Sequence, residues 1–149
     1  MIDNNDYPKS KRQHTLPNRQ LARAFAFSAA DLAANRHGYI TRAQSWQIPL
    51  WIRGTFQSVQ ERLGFSESKR RQIAASICGR ATLRYRQHQI ESIFHADFVE
   101  IHELEINNMV FRLSAHQHTA IADGVVYRLY YDADTKHILS LERAFNGCQ

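Results

Sequence analysis

The sequence predicts an α+β fold, in which two or three N-terminal helices pack on a small antiparallel sheet or a partly open β-barrel. Two observations predict it: helix-capping signals fill the first half of the chain, and apolar residues alternate with polar ones in the second half. The length of 149 residues suits one domain with a helical appendage. We therefore expect a flexible arm at 1–18, a helical region at 19–79 and an antiparallel β-domain with one short helix at 80–149.

The helical region begins after a polar N-terminal arm that contains Pro8 and Pro17 and has no apolar periodicity. Ser28 followed by Asp31 predicts an N-cap with an acidic first turn, and Gly38 stands where that helix would end. Thr41 can cap a second helix, which Pro49 must kink or restart because proline lacks the backbone N–H.

A third helix is predicted to begin at Ser66 or Ser68. Its apolar residues Ile73, Ala74 and Ile77 would form one stripe, and it would end at Gly79.

The β-domain is predicted from period-two alternation at 83–85, 99–101 and 104–106. Asn107 and Asn108 form a candidate two-residue hairpin turn, because Asn tolerates the positive φ that such turns need. Residues 114–122 read as a short helix that ends at an Asp-Gly pair. The clearest alternation lies at 125–131, and a turn over 132–136 leads it into a returning strand at 138–141.

Two sequence motifs stand at the ends of the folded region. Residues 27–44 read FSAADLAANRHGYITRAQ and 123–142 read DGVVYRLYYDADTKHILSLE. They resemble the DLxxNRxGxLSxxQ and YRxYY…LSxE motifs of an uncharacterised family of small bacterial proteins, with Ile40 and Thr41 at the Leu and Ser positions of the first motif. Members of that family usually carry two transmembrane helices between the motifs. This membrane portion is absent here, where charged residues such as Arg53, Glu61 and Arg62 occupy the intervening region.

The resemblance implies no activity. Read physically, Asn35 and Arg36 can bond the carbonyls at the end of the first capped helix, so this motif suits a helix, a turn and a second helix start. The alternative is that Asn35 and Arg36 dock a partner.

The net charge of +5 is unevenly distributed along the chain. Residues 62–86 hold seven basic residues and one acidic residue, whereas 91–108 hold five acidic residues and no Lys or Arg. A basic region of this kind attracts nucleic acid, anionic lipid or an acidic protein surface. The alternative is that these charged residues form a solvated surface on which neighbouring basic and acidic side chains pair in salt bridges.

No motif for metal binding or catalysis is present in the sequence. The eight histidines have no HExxH or CxxC spacing, and His116 and His118 would diverge on the helix predicted there. Glycine-rich phosphate loops and GxSxG are also absent. We expect no catalytic residue, no metal and no cofactor, and therefore no enzyme.

Two cysteines, no apolar leader and no uncharged run longer than ten residues predict a soluble protein in the reducing cytoplasm. Cys78 would be a small buried thiol and Cys148 an exposed one. The apolar cluster at 46–52 is either core or an exposed patch for a partner or a membrane interface.

These observations favour a non-enzymatic adaptor or assembly module that binds a protein partner. The alternative is a nucleic-acid-binding protein that uses the basic 62–86 region, and peripheral membrane contact is a third candidate; the oligomeric state stays open. The predicted partner-binding residues lie in the basic region and in the first motif: Lys69, Arg70, Arg71, Arg84, Arg86, Asn35 and Arg36.

Overall fold

The structure is a computed structural model that describes residues 18–48, 73–91, 94 and 96–148, and it confirms the α+β fold. Within the described residues, three short N-terminal helices precede six strands, and one further helix lies between the fourth and fifth strands. The elements in chain order are α1 (Arg19–Ala24), α2 (Ala29–Arg36), α3 (Arg42–Gln47), β1 (Ala74–Arg80), β2 (Thr82–Glu91), β3 (Ala96–Ile106), β4 (Met109–Leu113), α4 (Ala115–Ala120), β5 (Val126–Asp132) and β6 (Ile138–Arg143).

The strands form two antiparallel three-stranded sheets, with orders β1-β5-β6 and β2-β3-β4. The inner faces of both sheets and the apolar faces of α1 and α2 enclose one core. Its fully buried members come from both sheets and both helices: Leu21, Leu32, Leu104, Ile106, Phe111, Tyr127, Leu129 and Leu141.

The predicted local signals place the helices and the tight turn correctly. Ser28, Thr41 and Ser114 each cap a helix through a reciprocal capping box, which satisfies two backbone N–H groups at each helix start. Asn107 and Asn108 take positive φ angles of 48° and 65° between β3 and β4, as the hairpin turn requires.

The predicted third helix is wrong in the part that the structure describes. Residues 74–80 form strand β1, with Ile77 opposite Leu129 of β5, so the helical region of 19–79 ends in a strand. Short apolar runs fit both periodicities, and here the pairing with the buried strand β5 decides the outcome. The start of the predicted helix at 66–72 lies outside the described residues.

Gly79 lets the two sheets approach each other. A Cβ atom at this position would lie 2.6 Å from Asn107 Oδ1 and 2.9 Å from Ile106 Cγ2. The Asn107 side chain donates a hydrogen bond of 2.7 Å to the Cys78 carbonyl in the same place. The β3–β4 turn is therefore fixed against the edge strand β1 of the other sheet.

The expected free thiols are also wrong, because Cys78 and Cys148 form a disulfide with Cα atoms 5.5 Å apart. Cys78 lies on β1 and Cys148 lies in the C-terminal tail, 70 residues further along the chain. Spacing along the chain gave no indication of this pairing because the fold alone brings the tail back to β1. The crosslink closes a loop that contains strands β2 to β6.

Breaking this disulfide should destabilise the fold. Closing a loop of this length lowers the entropy of the unfolded chain, which corresponds to about 4 kcal/mol in the chain-entropy description. We expect Cys148→Ser to lower the free energy of unfolding by about 2–4 kcal/mol in urea titrations. The wild-type chain treated with reductant is the matched control and should lose the same amount; equal stability of oxidised and reduced protein would contradict the expectation.

Candidate protein-interaction surface

The two sequence motifs meet in a buried network of polar side chains. Asn35 on α2 and Gln44 on α3 exchange two amide hydrogen bonds of 2.9 Å. The Ser140 hydroxyl of β6 donates to Asn35 Oδ1 at 2.6 Å, and the Gln44 amide also donates to the Leu139 carbonyl at 3.0 Å. Asn35, Gln44 and Ser140 are 1%, 0% and 0% exposed, so these bonds replace water completely.

A second contact between the motifs lies beside this network. Arg36 donates to both carboxylate oxygens of Glu142 on β6, and the Tyr130 hydroxyl donates to the same carboxylate at 2.9 Å. The hydrogen bond to Glu142 raises the pKa of the Arg36 guanidinium. Desolvation and Glu142 together raise the pKa of Tyr130 to about 12, so the phenol stays a donor.

Asp31 links the capping boxes of α2 and α3. Its carboxylate accepts hydrogen bonds from the Ser28 backbone and hydroxyl and from the Thr41 hydroxyl. Burial raises the pKa of Asp31, but these hydrogen bonds outweigh burial and hold the pKa below its ordinary value of 3.8. A lowered carboxyl pKa stabilises the fold above the unfolded pKa, and this contribution is lost as the pH falls through the folded pKa.

These contacts favour the structural interpretation of the first motif over a docking role. Asn35 is buried and fully bonded within the chain, so a partner cannot reach it. Arg36 is held by Glu142 with its side chain 29% exposed. Asn35 and Arg36 thus connect helix α2 to strand β6 of the sheet.

The basic residues of β2 are paired with the acidic residues of β3. The antiparallel register places Arg84 opposite Glu103 and Arg86 opposite Ile101, and the ion pairs run diagonally: Arg84 to Glu105 and Arg86 to Glu103. Arg86 reaches both oxygens of the Glu103 carboxylate at 2.8 Å. The basic and acidic segments of the sequence thus neutralise each other here, as the salt-bridge alternative expects. Lys69, Arg70 and Arg71 lie outside the described residues.

The outer half of the β2–β3 hairpin extends beyond the core. We define the β-finger as residues 87–91, Phe94 and 96–100. All eleven of these residues are exposed, whereas Glu103, Leu104 and Ile106 further along β3 are buried. Five residue pairs at about 3.3 Å per residue give the β-finger a length of about 15 Å.

The β-finger exposes apolar side chains on both faces and at its tip. Phe98 lies on one face with 60% exposure, while Ile90 and Val99 lie on the other with 50% and 42%. Phe94 at the tip is 83% exposed. Both faces carry carboxylates as well, since Glu100 shares a face with Phe98 and Asp97 shares the other with Ile90.

An aromatic stack marks the base of the β-finger. The His102 ring lies 5.1 Å from the Tyr85 ring and 4.8 Å from the His118 ring of α4, between ring centroids. The Tyr85 hydroxyl donates to Glu100 at 3.2 Å. Desolvation and this hydrogen bond raise the pKa of Tyr85, which keeps the phenol protonated. The stack thus joins β2 and β3, at the base of the β-finger, to α4.

Other candidate sites separate into buried and exposed residues. In the 46–52 cluster Ile48 is core, with 2% exposure, and Trp46 is 68% exposed, while 49–52 lie outside the described residues.

Among the described residues no group of three His, Cys, Asp or Glu side chains is arranged to hold a metal ion. No helix in the described ranges is long and apolar enough to cross a membrane.

No protein-family model, curated protein or solved structure matches this chain.

The sequence alone did not indicate the β-finger. Alternation at 83–85 and 99–101 predicted half-buried strands, but only the pairing of two long strands reveals how far they extend beyond the core. The sequence did offer one signal for the β-finger, which is that no Lys or Arg occurs between Arg86 and Arg112.

The buried network predicts that removal of the Asn35 side chain strongly lowers the free energy of unfolding, whereas removal of the exposed Gln47 side chain lowers it only slightly. Asn35→Ala would remove two hydrogen bonds of the buried Gln44 amide, which keeps its bond to the Leu139 carbonyl, and the bond that the Ser140 hydroxyl donates. An unsatisfied buried polar group costs about 1–3 kcal/mol. We expect a loss of about 3 kcal/mol in the free energy of unfolding, measured by urea titration. The matched control is Gln47→Ala, which removes one exposed hydrogen bond to the Ala26 carbonyl and should cost about 0.5 kcal/mol. Similar losses for the two variants would contradict the role given to Asn35.

Proposed function

We propose that this protein is a non-enzymatic interaction module that binds a protein partner through the β-finger. The observation that carries the proposal is the exposure of Phe94, Phe98 and Ile90 on a projecting hairpin. Exposed apolar side chains gathered in one place, with charged residues around them, are typical of protein-binding surfaces. Aromatic anchors in particular supply most of the binding energy of many interfaces.

The shape of the β-finger favours a partner that contacts it on more than one side. Its apolar residues lie on both faces and at the tip, so a flat partner surface would cover only some of them. A hairpin of about 15 Å can instead enter a groove, where both faces are covered together. Its backbone is already ordered by pairing with its neighbour strand, which lowers the entropy cost of binding.

The non-enzymatic part of the proposal is supported by how polar groups are used. The buried polar residues Asn35, Gln44 and Ser140 bond one another, and Glu103 bonds Arg86. Reactive groups in enzymes are instead kept in a cleft with room for substrate. The Cys78 sulfur is in the disulfide and so is not a nucleophile.

The nucleic-acid alternative loses two of its proposed contacts. Phosphate binding needs cations that are free to replace counterions. Arg84 and Arg86 are paired with Glu105 and Glu103 instead, and the β-finger beyond them carries carboxylates that repel phosphate. This alternative therefore rests on the other basic residues of 62–86, which are Arg62, Lys69, Arg70, Arg71 and Arg80.

The disulfide bears on location. The cytoplasmic location expected from the sequence assumed free thiols, and structural disulfides persist mainly in oxidising compartments. We propose that the protein works where Cys78 and Cys148 stay oxidised.

Photo-crosslinking in cells tests the proposed function. We replace Phe94 with a photoreactive benzophenone analogue of phenylalanine, and the matched control carries the same analogue at Phe145, which is 82% exposed but lies outside the β-finger. We expect irradiation to join a protein to position 94, with at least about tenfold less adduct at position 145. The measurement is the mass and yield of adducts on denaturing gels.

Four results would contradict the proposal. A nuclease-sensitive adduct at position 94 would favour nucleic acid, and a lipid adduct there would favour membrane contact. The absence of any protein adduct, or equal adducts at both positions, would mean that the β-finger is not the binding element.

A further inference from the structure

We propose that the partner of the β-finger is a second copy of this chain, and that two copies exchange β-fingers in a reciprocal dimer. Each β-finger would dock on a patch of the other copy formed by Tyr39, Arg42, Trp46 and Ile73. This inference rests on the proposed function, because it names the partner that the same β-finger binds.

Charge is the first argument for a second copy. Residues 87–100 contain three carboxylates and no Lys or Arg, and since the whole chain carries +5, the remainder carries +8. Glu91 and Asp97 have no cationic partner among the described residues. Two β-fingers would therefore repel each other, whereas a β-finger is attracted to the body of another copy.

The body carries exposed residues with the complementary chemistry at two places, the Tyr39–Ile73 bridge and helix α3. Tyr39 and Ile73 face each other in an isolated antiparallel bridge and are 56% and 63% exposed. Trp46, with 68% exposure, and the exposed Arg42 are one turn apart on α3. No carboxylate in the described part of the chain forms an ion pair with Arg42. Aromatic rings with an adjacent cation suit the apolar and acidic side chains of the β-finger.

The tip of the β-finger cannot reach this patch within one copy. Gly79 of β1 contacts Asn107, which directly follows the end of β3. From this contact the tip end of β3 lies about 33 Å away along the strand, whereas Ile73 lies about 20 Å away along β1. Even if the two strands ran in the same direction, their ends would stay more than about 10 Å apart. A contact between the tip and Ile73 is therefore one between two molecules.

The size of the contact suits a stable dimer. In a reciprocal dimer both β-fingers and both patches are buried, so the interface contains each contact twice. The eleven residues of one β-finger and a receiving surface of similar size give roughly 20 residues a side, which is the lower end of a specific interface.

Sedimentation velocity of the purified full chain tests this inference with a charge-swap design. One variant carries Glu91→Lys and Asp97→Lys on the β-finger, and the other carries Arg42→Glu on the patch. Each alone brings like charges together in a reciprocal dimer, whereas a mixture restores attraction at both contacts. We expect the wild type to form dimers, each variant to dissociate about tenfold more readily, and the mixture to recover wild-type association.

Two further variants separate loss of contact from loss of folding. Phe94→Ser with Phe98→Ser removes two anchors and should raise the dissociation constant by at least about thirtyfold. Val110→Ser is the matched control, because Val110 is 39% exposed on the same sheet but lies outside the β-finger. Circular dichroism should be the same for all variants, since the substituted side chains are exposed.

A folded wild-type chain that stays monomeric at all concentrations would overturn the inference, as would a mixture of charge variants that fails to associate. The crosslinking at position 94 then distinguishes the two proposals. An adduct of twice the chain mass agrees with the dimer, an adduct with a different protein overturns only the dimer, and no adduct overturns both.

Discussion

The amide pair of Asn35 and Gln44 is the interaction on which the rest of the structure depends. It lies where α2, α3 and β6 meet, and each of its buried hydrogen-bonding groups has a partner in the chain. A half-satisfied buried network would be costly, so only one arrangement of the helices on the sheet meets this condition. The Gly38 carbonyl, in the loop after α2, accepts a hydrogen bond from the Ala74 backbone N–H, which connects the helical motif to the start of β1.

The rest of the fold consists of a body that is held together by several tertiary contacts and of the β-finger that projects from it. The body is held by the buried network, by the Gly79–Asn107 contact between the sheets and by the disulfide at Cys78. Ion pairs between β2 and β3 use the charges at the base of the hairpin, so only the outer carboxylates and aromatic rings stay available. A body held at several points, from which an exposed hairpin extends, is the arrangement expected of an interaction module.

The sequence predicts the features that depend on neighbouring residues and misses those that depend on distant ones. Capping boxes at Ser28 and Thr41 and the Asn107 turn are local chemistry, and each appears where it was predicted. The disulfide joins residues 70 apart, and the buried Asn35–Ser140 contact joins residues 105 apart, so neither has a local signal. Residues 74–79 were read as helix because pairing with β5 is a tertiary effect. The ion pairs of Arg84 and Arg86 also lack a local signal, since their glutamate partners are known only from the strand register.

Amide hydrogen exchange at different protein concentrations tests the central claim, that the β-finger is the surface covered on binding. Backbone N–H groups on the outer edge of β2 face no other described strand, so they exchange quickly in a free monomer. The account predicts that exchange at 87–91 and 96–100 slows at least about tenfold as concentration rises through the dissociation constant, together with exchange near Tyr39. Exchange in β4, around Val110, should not change. Unchanged exchange in the β-finger at concentrations where the protein is associated, with protection elsewhere, would contradict the account.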